Sequence, residues 1–404
     1  MYRLQSPNLI ALDIDSSRVR ATVAGSTGRT EPIPLAGDSL ELMMAISLEN
    51  REPQVGTAGA RLLRRMPHLV CHDFLACLET QRQWRAGRHR WSANLALKAV
   101  LTHLQPFWSG SRAVGLALPS YLEHAQVQAA LVLATEVGMP VAGAIPACLI
   151  LAEAAYAQNP WTGPALILEA DDHALTWTVV AAEGGEIRRL GSHVLPHLGI
   201  MHWKERLLNW IADTCIRQSR RDPRAYPEIE QMLFEQLGRM MTTQPQGQIL
   251  ELVIQRDQWY HNLLLRFEHM SQQCAPQIEQ AVAAMDQLMT AIDPPGLVDG
   301  VVVSWSASQL PGLIAAVESH WEKRRVARAA DPRDEEEPEA RAVTVLPAGA
   351  VAESLCSHTP QWIESSLAAD GFPERLALPV NGTSNGHVPR PASPLNPGVA
   401  VWHV

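Results

Sequence analysis

The sequence predicts an α/β protein of more than one lobe, and three observations carry that expectation. A β-hairpin pattern occurs twice, apolar strand-like runs alternate with amphipathic helical ones, and 404 residues exceed what a single core usually serves. The first hairpin, residues 9–25, reads LIALDIDSSRVRATVAG, and the second, residues 165–182, reads ALILEADDHALTWTVVAA. Each has an apolar run ending in an acid, a short polar turn and an alternating run that returns. That is a β-hairpin with a carboxylate at its tip.

The other elements follow in order. Residues 51–65 form a mixed segment with a turn at Gly56. Residues 92–104 predict a helix with Leu95, Leu97, Val100, Leu101 and Leu104 on its apolar face. Residues 113–118 are a buried strand ending at Pro119, and residues 122–137 a helix that Gly138 stops. Residues 146–156 make an alanine-rich helix closed by Asn159 and Pro160. After the second hairpin come a strand at 186–193 and an amphipathic helix at 202–217, with Trp203, Leu207, Trp210, Ile211 and Cys215 on one side. Residues 227–241 and 261–292 read as helical around a strand at 246–255. A buried strand at 300–303 precedes a helix at 309–322. Residues 331–340, DPRDEEEPEA, are an acidic, proline-broken loop, either a docking site or solvated filler. The last strand spans 343–346 and the last helix 348–358. From Pro373 onward the text is rich in Pro, Gly, Asn and Ser and is expected to be disordered.

Composition excludes several classes of partner. A net charge of −9 argues against nucleic acid, because phosphate binding needs clustered Lys and Arg. The dense basic stretches at 217–224 and 323–328 are short and read as polar helix ends. No apolar stretch matches a bilayer of about 30 Å, and no small-residue cleavage site follows the N-terminus, so neither membrane nor export is expected. The six cysteines are scattered, in apolar context and without a CxxC pair, and read as reduced core residues of a cytoplasmic protein. There is no GxxxxGK[ST] loop, GxGxxG turn, HExxH helix or GxSxG elbow. Twelve tryptophans are many for so few aromatics, and they fit either core and lobe-interface anchors or a Trp-lined peptide groove.

Several segments resemble, in order, the ATPase domain of the seventy-kilodalton heat-shock chaperones of the DnaK type, a branch of the actin-like ATPases. Residues 118–129, LPSYLEHAQVQA, resemble the family's VPAYFNDAQRQA, and His197-Leu198-Gly199 with the helix after it resembles THLGG…FDNRLVN. Residues 301–311 stand where the family's adenosine-binding strand and turn belong, and residues 347–355 are similar to the segment around DEAVAYGAA. The likeness spans roughly residues 8–360. It implies an actin-like (ribonuclease-H-like) fold with two lobes around a central cleft: residues 1–160, residues 161–360 with a helical subdomain at about 205–295, and residues 361–404 as the end of the fold and a tail. The chaperones' peptide-binding domain has no counterpart in this sequence.

The resemblance implies ATP or ADP with Mg as cofactor and supplies candidate contacts. Asp13 falls on the family's metal-proximal aspartate, Glu169 stands in for its counterpart in the second hairpin, and these two are the candidate metal ligands. Ser16 and Ser17 fall on the phosphate-binding threonines, while Gly199 and Ser304 fall on a phosphate turn and the adenosine strand end. The departures are as plain. Asp15 replaces a glycine, and Asp171, Asp172 and His173 replace the glycines of DLGGGTFD, which allow positive φ and close approach to phosphate. The pair Asp171-Asp172 is either a solvent-exposed hairpin turn or, with Asp13 and Asp15, a set of oxygen ligands for a hard cation. No lysine stands near His72-Asp73, no glutamate precedes Pro146, and Trp305 replaces a glycine beside the adenosine site. Two functions follow as expectations: a non-catalytic, chaperone-like binding or regulatory module with an unidentified protein partner, or a weak, atypical Mg-ATP-binding ATPase.

Overall fold

The apolar run at the start of the chain forms the strand Leu9–Ile14, and the returning strand is Arg18–Ala24, paired in antiparallel register from Leu9↔Ala24 to Ile14↔Val19. Asp15 closes the turn between them, its Oδ1 accepting the backbone N–H of Ser17 at 2.7 Å and of Arg18 at 2.8 Å. In the computed structural model, residues 9–24, 29–243, 249–256, 259–291, 298, 300–329, 343–365 and 373–378 are described.

This hairpin is the centre of a six-stranded sheet. Leu9–Ile14 pairs in parallel with Ala113–Leu118, which pairs in parallel with Val141–Pro146; Arg18–Ala24 pairs antiparallel with Thr30–Pro32 and Glu41–Met43. The second hairpin, Gly163–Ala170 with Leu175–Glu183, continues into Glu186–Leu195, all antiparallel. Its first strand pairs in parallel with Val301–Val303, and that strand with Val343–Val345. With the short strands Glu41–Met43 of the first sheet and Arg375–Ala377 of the second left aside, both sheets, numbered by chain order, run fifth, fourth, first, second, third, the first three antiparallel and the last two parallel to the first. The repeat legible in the two hairpins is therefore a repeat of whole mixed sheets.

Strand alternation decides what each sheet face meets. In the first sheet Ile10 and Leu12 face one core with the helices Ala93–Trp108 and His124–Glu136, while Ala11 and Ala117 face the other way. In the second, Leu166, Leu168 and Trp177 face a core with the helices Ile200–Ser219, Pro227–Thr243 and Ala275–Ala291, while Ala165 and Ile167 turn back toward the first sheet. The helices Ala147–Gln158 and Ala350–Ser365 fill the layer between. Small residues on both inner faces allow close approach, and Ala147–Gln158 is accordingly buried nearly all round, including Glu153, which accepts a hydrogen bond from Ser354 Oγ.

The mixed α/β class and most elements match expectation, with instructive differences. Leu95 is half exposed and Ala96 is in the core, because at about 100° per residue Leu95 lies opposite the face of Leu97, Val100, Leu101 and Leu104; Ser92 caps the helix, its Oγ accepting from Leu95 N–H at 3.3 Å. The helix after Pro119 begins at His124 and buries Val127, Ala130, Leu133 and Ala134. Val141–Pro146 is a parallel strand that propensity alone did not announce. The expected long helix at 261–292 splits: Trp259–Arg266 pairs with Ile249–Arg256, and only from Phe267 does the chain turn helical. Alternation of Trp259, Leu263 and Leu265 inward with Tyr260, Asn262 and Leu264 outward is a strand pattern that the helical reading overlooked. The helix expected at 309–322 is two, Trp305–Ser308 and Leu313–Ala329. Beyond Pro373 the expected disorder gives way to an edge strand, Arg375–Ala377, antiparallel to Glu186–Arg188 and anchored by buried Leu376. The acidic run 331–340 and residues 379–404 lie outside the described residues. No helix among those described is long and apolar enough to cross a membrane, and the six cysteines are free thiols, five of them buried.

The layer between the sheets has little slack, so Ala152→Leu, at a fully buried position there, is expected to destabilise the chain by about 1–3 kcal/mol in urea unfolding followed by circular dichroism, through overpacking alone.

Candidate functional site

The tips of the two hairpins touch. Ser16 N–H donates to Asp171 Oδ2 at 3.0 Å, His173 N–H donates to Ser16 Oγ at 2.9 Å, and Asp172 N–H donates to Ser17 Oγ at 2.8 Å. Asp171 Oδ1 also accepts the N–H groups of His173 and Ala174, both at 2.9 Å, and Tyr121 Oη donates to Oδ2 at 2.7 Å. A carboxylate that is only 4% exposed thus holds donors from both hairpins and from Tyr121. Burial costs a charge several kcal/mol unless it is hydrogen-bonded, and charge-assisted bonds of this length are the compensation. The net balance still raises the Asp171 pKa, burial outweighing the bonds from Ala174, Tyr121 and Ser16. Neither sequence reading of Asp171-Asp172 holds for Asp171: it is not solvent-exposed, and among the described residues no three His, Cys, Asp or Glu side chains are placed to hold a metal ion.

Gly199 does not face the cavity. A Cβ there would lie 2.5 Å from the Asp172 carbonyl oxygen and 2.5 Å from the His173 carbonyl carbon, so only glycine lets the second tip lie against the start of the helix Ile200–Ser219. The Asp171 carbonyl in turn accepts Ile200 N–H at 2.7 Å, satisfying one free donor of that helix N-terminus. Ser304 has a similar structural duty. It is the N-cap of Trp305–Ser308, its Oγ accepting Ala307 N–H at 3.3 Å, and its own N–H reaches the Leu168 carbonyl at 2.8 Å.

Behind the tips lies a cavity of about 60 Å³, lined by Asp13, Asp15, Glu169, Asp171, Arg20 and Trp305 among others. Pockets for drug-sized ligands measure about 300–1,000 Å³, and a buried water needs roughly 10–15 Å³ on this measure; the space suits a few waters. Asp13 and Glu169, the two candidate metal ligands, both line it. Burial pushes the Asp13 carboxyl up to about 6, against the Arg20 guanidinium 3.6 Å away. Asp15 rises to about 6 for the same reason, opposed chiefly by Arg18. Glu169 is pushed up to about 8 by burial, although Ser120 Oγ donates to it at 2.6 Å; that hydroxyl also accepts Cys148 N–H at 3.2 Å.

Trp305 is a bridge between the halves. The guanidinium groups of Arg18 and Arg20 lie 5.6 and 5.3 Å from its ring centroid, in cation–π range, while both also bind Glu41. Asp73, in the left-handed region at φ 49°, faces His173 Nδ1 at 3.1 Å. Burial alone would lower the His173 pKa, but the hydrogen bond and charge of Asp73 raise it. A further line of contact joins residues 60–64 to the helix Pro227–Thr243. Arg64 N–H donates to Gln231 Oε1 at 2.8 Å, Gln231 Nε2 donates to the Ala60 carbonyl at 3.0 Å, and the Phe234 ring lies between the Arg64 guanidinium and Lys204 Nζ at 5.0 and 4.9 Å. Lys204 comes from the helix Ile200–Ser219, and burial lowers its pKa against the pull of Asp172.

Sequence reasoning found the two tips, His173 among them, and missed Arg18, Arg20 and Lys204 as their companions. Arg18 and Arg20 carried a signal, two charges on one face of an otherwise apolar strand. No family model matches this chain, and no curated protein is significantly similar to it.

The buried acids give a pH dependence of defined sign. Glu169 keeps its proton in the fold up to about pH 8, whereas in the unfolded chain it loses it near 4.5, so its contribution is fully present in acid and is lost as the pH rises through that window. Glu169→Gln, which cannot ionise, is expected to gain melting temperature relative to the parent steadily from about pH 4.5 to about pH 8 and to level off above, in thermal melts at matched ionic strength.

Proposed function

We propose that this chain is a chaperone-like homologue of the actin-like ATPase domains, two lobes around a cleft, that has kept the architecture and works without nucleotide chemistry as a binding or regulatory module. The observation that carries the reading is the Asp171 carboxylate. In the family that the sequence resembles, hairpin tips of this kind hold phosphates; in this chain the corresponding N–H groups and hydroxyls of Ser16, Ser17, His173 and Ala174 are already bonded between the tips and to Asp171.

The duplicated sheet order supports the architectural half of the proposal. Charge supports the other half. A polyphosphate entering the cavity would displace Asp171 and, at neutral pH, meet Asp13 and Asp15 in their ionised forms, beside a Glu169 that keeps its proton up to about pH 8. Each like-charge encounter at about 4 Å costs on the order of 1 to 4 kcal/mol for effective dielectrics from 80 down to 20. The roughly 60 Å³ of space would also have to grow severalfold. With the halves held in this closed arrangement, the surface they jointly present is constant, which suits a scaffold for another protein better than a nucleotide-driven cycle.

Isothermal titration calorimetry of the chain with MgATP and with MgADP is expected to give no binding heat into the millimolar range. Asp171→Gly is expected to lower the melting temperature and to bind MgADP more tightly than the parent does, because it releases the donors. Micromolar binding of MgATP with turnover by the unaltered chain would instead support the weak ATPase, with Asp13, Ser16, Ser17 and Glu169 at the metal and phosphates.

A further inference from the structure

An acidic chain carries a long basic segment: residues 51–92 hold eight arginines against three carboxylates. Its most exposed part is a hairpin of the strands Gln83–Ala86 and His89–Ser92, joined through Gly87, at φ 56°, and Arg88. The register pairs Trp84 with Trp91 and Arg85 with Arg90. Directly opposed residues share a face, so the two indoles and Ala86 turn to the core, and the guanidinium of Arg82 covers Trp84 at 4.9 Å. Arg85 and Arg90 face outward beside Arg88, and all three are exposed.

These arginines are not neutralised. Among the described residues no carboxylate lies within ion-pairing distance of Arg85, Arg88 or Arg90; Arg85 donates to the amide oxygen of Gln83 at 3.1 Å. Like charges directly opposite one another destabilise a hairpin, so the pair Arg85–Arg90 has a standing electrostatic cost that a bound anion would relieve. The guanidinium fork matches a carboxylate in bidentate fashion. Nucleic acid fits the face less well, since both indoles point inward and leave no aromatic platform on which bases could stack.

The complementary charge is present in the same sequence: residues 331–340, DPRDEEEPEA, carry six carboxylates and one arginine. We infer that the outward face of the Arg85–Arg90 hairpin docks the 331–340 run of a second copy, giving a salt-sensitive, head-to-tail self-association. The placement of the two segments in the fold points to a second copy. The run is tethered on both sides to the second sheet and its outer core, through Leu313–Ala329 and Val343–Val345. The hairpin packs on the outer core of the first sheet. With the run anchored beside the second sheet and the hairpin lying beyond the first, a second copy brings the two together without the run having to cross the fold. A contact between two different surfaces builds closed rings where the rotation between copies closes and open chains where it does not, and in either case the mean mass grows with concentration.

Sedimentation analysis of the full chain tests this. At an ionic strength of about 10 mM, where the screening length is roughly 30 Å, the mean mass is expected to rise with concentration, and at about 1 M, where it is roughly 3 Å, to fall to the monomer. Arg85→Glu with Arg90→Glu, and separately Glu335→Lys with Glu336→Lys and Glu337→Lys, should each weaken self-association by about tenfold or more. Mixed together, the two variants should form a 1:1 complex, because each retains the surface the other has lost. A parent chain that stays monomeric at low salt, association that survives either charge reversal, or a mixture that forms no complex would overturn the inference. So would tight binding of a single-stranded oligonucleotide by the hairpin without self-association.

Discussion

The structure depends on one buried carboxylate. Asp171 accepts hydrogen bonds from Ser16 in the first hairpin, from His173 and Ala174 in the second, and from Tyr121 ahead of the helix that begins at His124. Pulling the halves apart would leave a desolvated acid with fewer donors, a cost of several kcal/mol for a charged group, while the Ser16 and Ser17 hydroxyls would lose the N–H groups they accept. Contacts further out follow from that junction. Trp305 can lie against Arg18 and Arg20 only when the first hairpin is at this distance from the second sheet, and Gln231 can bridge to Ala60 and Arg64 only with the cleft closed.

The same closure explains the electrostatics. The cavity leaves room for only a few waters around Asp13, Asp15 and Glu169, and desolvation raises all three, against Arg20 and Arg18 at the two aspartates and against Ser120 and Arg189 at Glu169. Two of these acids fall where the resembled family keeps metal-linked carboxylates, yet burial makes both hold their protons to higher pH than usual, Asp13 to about 6 and Glu169 to about 8. A cleft suited to a polyphosphate gathers positive charge and free N–H groups; this one gathers acids and has its N–H groups occupied.

Much of the fold was legible because its signals are local. The period-2 runs at 9–24 and 163–183 announced both hairpins, Ser92 and Gly138 bounded helices by capping and positive φ, and the polar turn at Asp15 follows from aspartate's own backbone bonding. Leu95 was grouped with an apolar face that the helical period places on the opposite side of the helix, where it is half exposed. What else escaped depended on partners distant in sequence. Arg375–Ala377 lies in a stretch of loop composition and becomes a strand because the edge at Glu186–Arg188 offers it unpaired backbone groups. Arginines 85, 88 and 90 looked scattered until the hairpin register set two of them face to face.

By itself the sequence determined the α/β class, the repetition of a carboxylate-tipped hairpin, and the absence of glycine from the tips, since each is a matter of residue type and short-range periodicity. Only the tertiary structure decided what the acids at those tips do. Residues 155 positions apart meet there, and a carboxylate that reads as a solvated turn in one dimension becomes, once both hairpins close over it, the acceptor that joins them. The physical reason is that a carboxylate's behaviour is set by its burial and its donors, and for Asp171 the first hairpin supplies part of both.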